Sequence, residues 1–139
     1  NERFRNGQRL TRDFTRMVDA TAGAQYPMAV VLSCIDSRTP AEILFDLGLG
    51  DVFSVRIAGN IAGQKVLGSM EFACSVAGAK LVLVMGHTSC GAVKSAVELF
   101  SAQKSAADET GCKHLDAVVS EVQKCIDPVT CDAHDASCE

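Results

Sequence analysis

The sequence predicts an α/β fold, a three-layer α-β-α arrangement around a mainly parallel central sheet. The unbroken apolar run MAVVLSC at residues 28–34 is typical of a strand covered on both faces, and KLVLVMGH at residues 80–87 is predicted as a second buried strand. A further strand is predicted for VFSVRIAGN at residues 52–60. Segments with helical patterns separate these runs, and strands that alternate with helices favour a parallel sheet with helices on both faces.

The helices are predicted from periodicity and from residues that start or stop them. Residues 8–22 are loosely periodic and are predicted as the first helix, which ends before the Tyr26-Pro27 pair. A short helix is expected after Pro40, since proline suits a first helical turn. The remaining helices are predicted at residues 68–79, 88–100 and 114–126.

Composition and charge narrow the classes of function. Thirteen basic residues against seventeen acidic ones give a net charge of −4, which offers no basic footprint for nucleic acid. No apolar run approaches a membrane span, so neither a nucleic-acid nor a membrane partner is expected. No signal-peptide pattern opens the chain and a cytoplasmic protein is expected, although a targeting segment ahead of the first residue, which is not Met, is left open.

The seven cysteines favour metal binding over disulfide bonds. Their number is odd, their spacing is irregular, and C-x-x-C does not occur. A small disulfide framework and a thioredoxin-type redox site are therefore the weaker interpretations. A reducing compartment in which some of the cysteines bind a metal fits the pattern better.

Cys34, His87 and Cys90 form a candidate metal site. GHTSCG places His87 and Cys90 three residues apart across a predicted strand-to-helix turn, while Cys34 ends another predicted strand. Ligands gather at the carboxyl ends of parallel strands, and two thiolates with an imidazole suit Zn²⁺. The H-x-x-C spacing alone is a weak signal. Three ligands leave a position open, which is typical of catalytic zinc; Cys74 could close the site but is predicted to pack in the core.

An acid and a base follow the first cysteine in CIDSR. At an open zinc position, the metal lowers the pKa of bound water so that hydroxide forms near neutral pH. Asp36 can orient that hydroxide provided that it stays ionised and does not bind the metal. Arg38 can hold Asp36 by a charge-assisted pair.

The order CIDSR, VRIAGN, GHTSCGA resembles the β-class carbonic anhydrases over roughly residues 25–96. The resemblance implies the fold of that class and one reaction, the reversible hydration of carbon dioxide to bicarbonate and a proton by zinc-bound hydroxide. It also implies an inactive state, known in some members, in which the aspartate takes the fourth zinc position. The implied zinc ligands are Cys34, His87 and Cys90, and the implied catalytic dyad is Asp36 with Arg38.

The resemblance also implies a substrate pocket formed by five further residues. Gln25 matches a glutamine that reaches the pocket of a partner subunit, and Gly91 matches a backbone N–H donor. Phe53 matches a pocket aromatic, Ala58 stands where other members have valine, and Phe72 where many have tyrosine. For these last three, apolar core packing is an equally good interpretation.

The chain departs from the family in two places. Arg56 matches the arginine of a bicarbonate-binding regulatory pocket in some bacterial members, but Val31 replaces its tryptophan. That regulation is therefore not expected, and a structural ion pair is the alternative for Arg56. Nothing after Pro128 resembles the glycine-rich last strand of the family, so the sheet is expected to lack that strand.

One domain is expected for the whole chain, in four segments. They are an N-terminal helical arm at 1–25, a zinc-site core at 26–100, a helical region at 101–126 and an acidic tail at 127–139. The tail carries Cys131, His134 and Cys138, for which a flexible end is favoured over a second metal site.

Assembly and two alternative functions complete the expectations. The resemblance implies a homodimer or a higher homo-oligomer, and the apolar residues of the arm suit either wrapping around a partner or packing on the chain's own sheet. The first alternative function is a related zinc hydrolase acting on carbon disulfide or carbonyl sulfide. The second is a non-catalytic zinc-binding domain of the same fold.

Overall fold

The structure, a computed structural model, describes residues 1–126. The expectations of a flexible tail carrying Cys131, His134 and Cys138 and of an absent last strand therefore lie outside the described residues. The chain divides into two compact units. The first is Asn1–Gly86, and the second begins at His87. None of the helices in the described part is long and apolar enough to cross a membrane.

The first unit holds a parallel sheet of three strands. These are β1 (Ala29–Ser33), β2 (Val52–Arg56) and β3 (Leu81–Met85), in the order β2-β1-β3. Both neighbours run parallel to β1, and at its end Ser33 lies opposite Arg56 on one side and Met85 on the other. This confirms the predicted α/β fold with a mainly parallel sheet. The parallel arrangement also brings the carboxyl ends of all three strands to one edge of the sheet.

The three strands differ in burial, although two of them have similar sequences. All five residues of β1 are buried. In β3, which was predicted to be buried, Leu81 is 58% exposed and Val84 is 61% exposed. The predicted burial of β3 was therefore wrong. Among the described residues, 1–126, β3 lies at an edge of the sheet, while β1 has a strand on either side. An apolar β-branched run therefore does not separate a central strand from an edge strand.

Helices and turns of the first unit precede the sheet or connect its strands. They are α1 (Glu2–Arg5), α2 (Phe14–Thr21), α3 (Ala41–Leu44), a 3₁₀ turn (Ala58–Asn60), α4 (Gln64–Glu71) and a π-helical turn (Phe72–Val76). The last two replace the helix predicted at residues 68–79. Ala73 of the π turn packs on Val30 of β1, which forms the apolar core of this unit with Ala79.

The N-terminal arm is two short helices instead of the one predicted at residues 8–22. Asp13 begins α2, since its side chain accepts a hydrogen bond from the backbone N–H of Arg16 at 3.1 Å. Residues of α1 and of the segment between the two helices are anchored to Asp46, which is 6% exposed. Its carboxylate pairs with the guanidinium groups of Arg3 and Arg12. The arm therefore packs on its own chain.

The second unit is helical. Its elements are α5 (Gly91–Ala102), α6 (Ala106–Thr110) and α7 (Leu115–Gln123). Ala96, Ala106 and Val119 form its core. Helices α5 and α7 were predicted from the sequence. The five-residue helix α6, which is capped by the side chain of Ser105, was not predicted. The carboxylate of Asp116, in α7, accepts a hydrogen bond from the Ala106 N–H at 2.7 Å.

Candidate metal centre

Strand register explains how Cys34 and His87 come to the same edge of the sheet. Cys34 follows the last residue of β1 directly, and His87 lies two residues beyond the end of β3. Because Ser33 and Met85 are opposite each other in parallel strands, the chain delivers both side chains to the carboxyl edge. Cys90 follows three residues after His87, at the N-cap of α5.

The three side chains converge. The sulfur atoms of Cys34 and Cys90 and a ring nitrogen of His87 all lie within 4.8 Å of one another. Both cysteines are buried, and the histidine is half-buried. Within residues 1–126, this is the one cluster of three or more histidine, cysteine or acidic side chains with such spacing.

The turn between β3 and α5 sets the orientation of the imidazole. Nδ1 of His87 lies 2.9 Å from the carbonyl oxygen of Thr88. Because a carbonyl only accepts, Nδ1 carries the proton in the neutral ring and Nε2 carries the lone pair. A hydrogen bond of this kind is usual for metal-binding histidines. The next residue, Ser89, has φ of 55°, so the chain turns sharply before Cys90.

The donor set fits zinc by its chemistry and its spacing. Thiolate and imidazole are the ligands that zinc prefers, at about 2.3 Å for sulfur and about 2.0–2.1 Å for nitrogen. Atoms bound to one tetrahedral centre at those lengths lie about 3.5–4 Å apart by geometry, and the observed limit of 4.8 Å accommodates that spacing. Cys74 does not join the cluster but packs against the core of the first unit, as predicted.

Asp36 and Arg38 lie against each other beside the cluster's first cysteine. The guanidinium donates from Nε to Oδ1 at 2.9 Å and from Nη2 to Oδ2 at 2.7 Å. The backbone N–H of Arg38 also donates to Oδ1, at 2.9 Å. The D-x-R spacing thus gives a two-pronged ion pair together with an Asx-type turn. Such a carboxylate is held in one orientation.

A second arginine, Arg56 in β2, holds the backbone of the same turn. Its Nε donates to the carbonyl oxygen of Cys34 at 3.1 Å, and its Nη2 donates to that of Asp36 at 2.6 Å. A structural ion pair was the expected alternative for Arg56. The contacts seen are instead hydrogen bonds to two carbonyl oxygens. No sequence signal indicated them, since a side chain that bonds to the backbone leaves no complementary residue type to look for.

The predicted pocket residues are only partly brought together. Phe53 and Phe72 meet edge to face, with ring centroids 6.4 Å apart and planes at 70°. Together with Arg56 they line an open groove of about 690 Å³ on the first unit. Ala58 lies in the 3₁₀ turn and Gln25 is exposed ahead of β1, and neither lines this groove. Gly91 is the first residue of α5.

The fold and the site together define a class of protein, and comparisons agree on it. A parallel sheet presents two cysteines and a histidine at its carboxyl edge, beside an arginine-held carboxylate. Residues 29–138 match the family model described as carbonic anhydrase. The chain belongs to the carbonic anhydrase family, with the fold of the β class.

Mycobacterial proteins are among the similar sequences. Carbonic anhydrase 2 of Mycobacterium tuberculosis is 48% identical over 100 residues, which cover 70% of this chain and 47% of that protein. The carbonic anhydrase of Mycolicibacterium smegmatis is 52% identical over 97 residues, covering 68% of this chain and 47% of that protein. The chain therefore spans about half the length of the curated relatives it matches.

Solved structures agree on the fold. The β-carbonic anhydrase CcaA superposes with a TM-score of 0.63 at 27% identity, covering 76% of this chain and 50% of that one. A tetrameric β-carbonic anhydrase of Sordaria macrospora gives a TM-score of 0.56 at 21% identity, covering 78% of this chain and 64% of that one. At that identity the second likeness supports the fold alone.

Proposed function

We propose that this chain catalyses the reversible hydration of carbon dioxide to bicarbonate and a proton, with zinc held by Cys34, His87 and Cys90. The observation that carries the proposal is the convergence of two thiols and one imidazole within 4.8 Å. Family membership supports it. Because the chain spans about half of its relatives, their whole activity is part of the proposal.

Each group at the sheet edge has a part in this chemistry. Zinc, when bound, supplies the Lewis acidity that turns water into a nucleophile near neutral pH. The buried thiolates of Cys34 and Cys90 and the Nε2 lone pair of His87 are the donors that would hold it. Asp36, as a carboxylate, would accept a hydrogen bond from the attacking water and so orient it toward carbon dioxide.

Arg38 keeps Asp36 in the form that this role needs. A guanidinium that donates to both carboxylate oxygens favours the ionised carboxylate. It also holds the oxygens in one plane, which limits their freedom to turn toward the metal. In this proposal the inactive arrangement, with the aspartate on zinc, requires the pair to break.

The substrate side of the site is proposed from the family resemblance and from residue chemistry. Phe53 and Phe72 would offer an apolar wall to carbon dioxide. Ala58, which does not line their groove, is proposed as a pocket residue from the resemblance alone. The N–H of Gly91 is among the first N–H groups of α5, where helices have unsatisfied donors and favour anions such as bicarbonate. Gln25 would act in the pocket of a partner subunit.

A homodimer or higher homo-oligomer is part of the proposal. Apolar side chains on the outside of the first unit support it, since Phe72 is 53% exposed and Val76 is 71% exposed. Light scattering on the purified chain would give the oligomeric state, and a monomer at micromolar concentration would contradict this part. The cytoplasmic location stays a prediction.

A stopped-flow assay of carbon dioxide hydration tests the function. The chain is loaded with zinc, its metal content is measured, and initial rates are taken from pH 6 to 9. We expect catalysis that increases with pH, because deprotonated water is the nucleophile. Zinc-loaded protein without activity at alkaline pH would favour the non-catalytic domain. Turnover of carbon disulfide or carbonyl sulfide without turnover of carbon dioxide would favour the sulfur-analogue hydrolase.

A further inference from the structure

We propose that Arg56 is a positioning residue, whose guanidinium fixes the Cys34–Asp36 turn so that the thiol and the carboxylate face one centre. The inference rests on the proposed function for its kinetic consequences, but not for its structural ones. It assigns Arg56 to the turn's backbone, a role separate from that of Arg38, which holds the Asp36 side chain.

Arg56 bonds to the turn at the point where β1 ends. At the end of β1, the carbonyl oxygen of Ser33 accepts a backbone hydrogen bond from the N–H of Ile57, the residue after β2, at 3.0 Å. Beyond it, the Arg56 side chain donates to the carbonyl oxygens of Cys34 and Asp36. The side chain of Arg56 thus connects β2 to the turn that follows β1.

The shape of the arginine side chain suits this task. A guanidinium is planar and presents several N–H donors at fixed angles, so it can bond two carbonyl oxygens at once. The two accepting residues, Cys34 and Asp36, are separated by one residue, Ile35. Thr39 also donates to the carbonyl of Asp36, with its N–H at 3.1 Å, but Thr39 belongs to the turn itself. Arg56 links the turn to a neighbouring strand.

The two arginines therefore have different roles: Arg38 holds the side chain of Asp36, and Arg56 holds the backbone of the turn. In Arg56→Gln, the local pair of Asp36 with Arg38 persists, because it depends on residues two apart. The turn as a whole loses its anchor to β2, and Cys34 moves with it. Groups that orient metal ligands without touching the metal typically cost about 10- to 100-fold in metal affinity or activity when they are removed. A loss of that size is expected here.

The experiment compares Arg56→Gln and Arg56→Lys with the wild-type chain. Lys80→Gln is the control, since Lys80 is exposed and lies just before β3, at the other end of the sheet. Zinc affinity is measured by competition with a chelator, and amide hydrogen exchange at Thr39 is followed in the metal-free protein. The absorption bands of Co²⁺-loaded protein report the geometry of its ligands.

The expected pattern is specific to the turn. Arg56→Gln binds zinc about 10- to 100-fold more weakly, shifts the cobalt bands and exchanges the Thr39 amide faster, while amides in β1 keep their protection. In the zinc-saturated enzyme kcat falls more than KM rises, because orientation matters most in the transition state. Arg56→Lys recovers part of each loss, since an ammonium still donates but lacks the planar fork.

Three results would overturn the inference. One is an Arg56→Gln protein with wild-type zinc affinity, cobalt spectrum and Thr39 exchange. The second is faster exchange throughout β1 and β2, which would make Arg56 a general stabiliser. The third is a lysine variant as impaired as the glutamine variant. If Arg56→Gln is not recovered folded, Arg56→Lys gives the same readouts. A wild-type chain that hydrates no carbon dioxide, with the turn loosened in the variants, would contradict the proposed function alone.

Discussion

Asp36 and Asp46 are both held by arginine side chains, but their settings differ. Asp36 pairs with Arg38, two residues further on, and the side chain of Arg38 is 63% exposed. Asp46 pairs with Arg3 and Arg12, which are 43 and 34 residues away in the sequence. Its side chain is 4% exposed and also accepts a hydrogen bond from the backbone N–H of Leu10.

The difference separates a carboxylate available for chemistry from one used for anchoring. The Arg12 side chain is the main reason why the pKa of Asp46 lies well below its usual range, with Arg3 and the Leu10 N–H acting in the same direction. Asp46 is committed to tying the arm to the loop after α3. Asp36 lies beside candidate metal ligands, in a turn that two arginines hold from different sides. The predictions below test this contrast.

The largest effect is expected where the metal would be held. Cys34→Ser should lose zinc and, with it, all measurable hydration of carbon dioxide, because a hydroxyl is a far poorer zinc ligand than a thiolate. Metal analysis by mass spectrometry measures the loss. Cys74→Ser is the matched control. Because Cys74 packs against the core and away from the candidate site, this variant should keep its zinc. Full zinc in the Cys34 variant would contradict the ligand set.

The next effect separates the two aspartates directly. Asp36→Asn should keep its zinc but hydrate carbon dioxide about 100-fold or more slowly, which is the usual range for removing a positioned acid–base group. Asp46→Asn should keep both zinc and rate per folded molecule. The measurement is kcat at equal zinc occupancy for both variants. Full activity in Asp36→Asn would remove that carboxylate from the mechanism.

A smaller effect, on stability, should appear at Asp46. Because its pKa is lower in the folded chain than the unfolded value of about 3.9, its pairs stabilise the fold fully above that pH. The contribution is lost as pH falls toward the folded-state pKa. Asp46→Asn should therefore lower the urea midpoint at pH 7, and the gap to wild type should narrow below pH 4. An equal gap at every pH would contradict the charge-based account.

The smallest effect is expected one residue before Cys34. Ser33 is 1% exposed, and its hydroxyl oxygen has no hydrogen-bond partner among the residues that the structure describes. Ser33→Ala should change the free energy of unfolding by no more than about 1 kcal/mol, in the stabilising direction, because it removes a buried unpaired polar group. Denaturant unfolding measures this. A loss beyond about 2 kcal/mol would show that the hydroxyl has a partner.

Local patterns made much of the fold and the candidate site predictable. The apolar run of β1 predicted a strand buried on both faces, which the structure has. The alternation of strands and helices predicted a parallel sheet, and a parallel sheet places Cys34 and His87 at one edge. Asp36 and Arg38 could be paired because they are two residues apart. Each of these inferences needed only neighbouring residues or the general geometry of a parallel sheet.

What the sequence did not predict depends on contacts between distant segments. The arm was expected as one helix, because its apolar periodicity does not reveal that Asp46 binds residues between the two short helices. The prediction that β3 is buried was wrong, because an edge strand and a central strand can have the same composition. Arg56 bonds to carbonyl oxygens, which every residue has, so no partner can be identified from residue types.

The most direct test of the central claim is X-ray absorption spectroscopy at the zinc edge of the purified chain. The account predicts two sulfur ligands at about 2.3 Å, and nitrogen or oxygen ligands at about 2.0–2.1 Å in the remaining positions. That shell is the open site of two cysteines and one histidine. A shell with three or four sulfur atoms would indicate a closed structural site, and one without sulfur would place the metal elsewhere; either result would contradict the account.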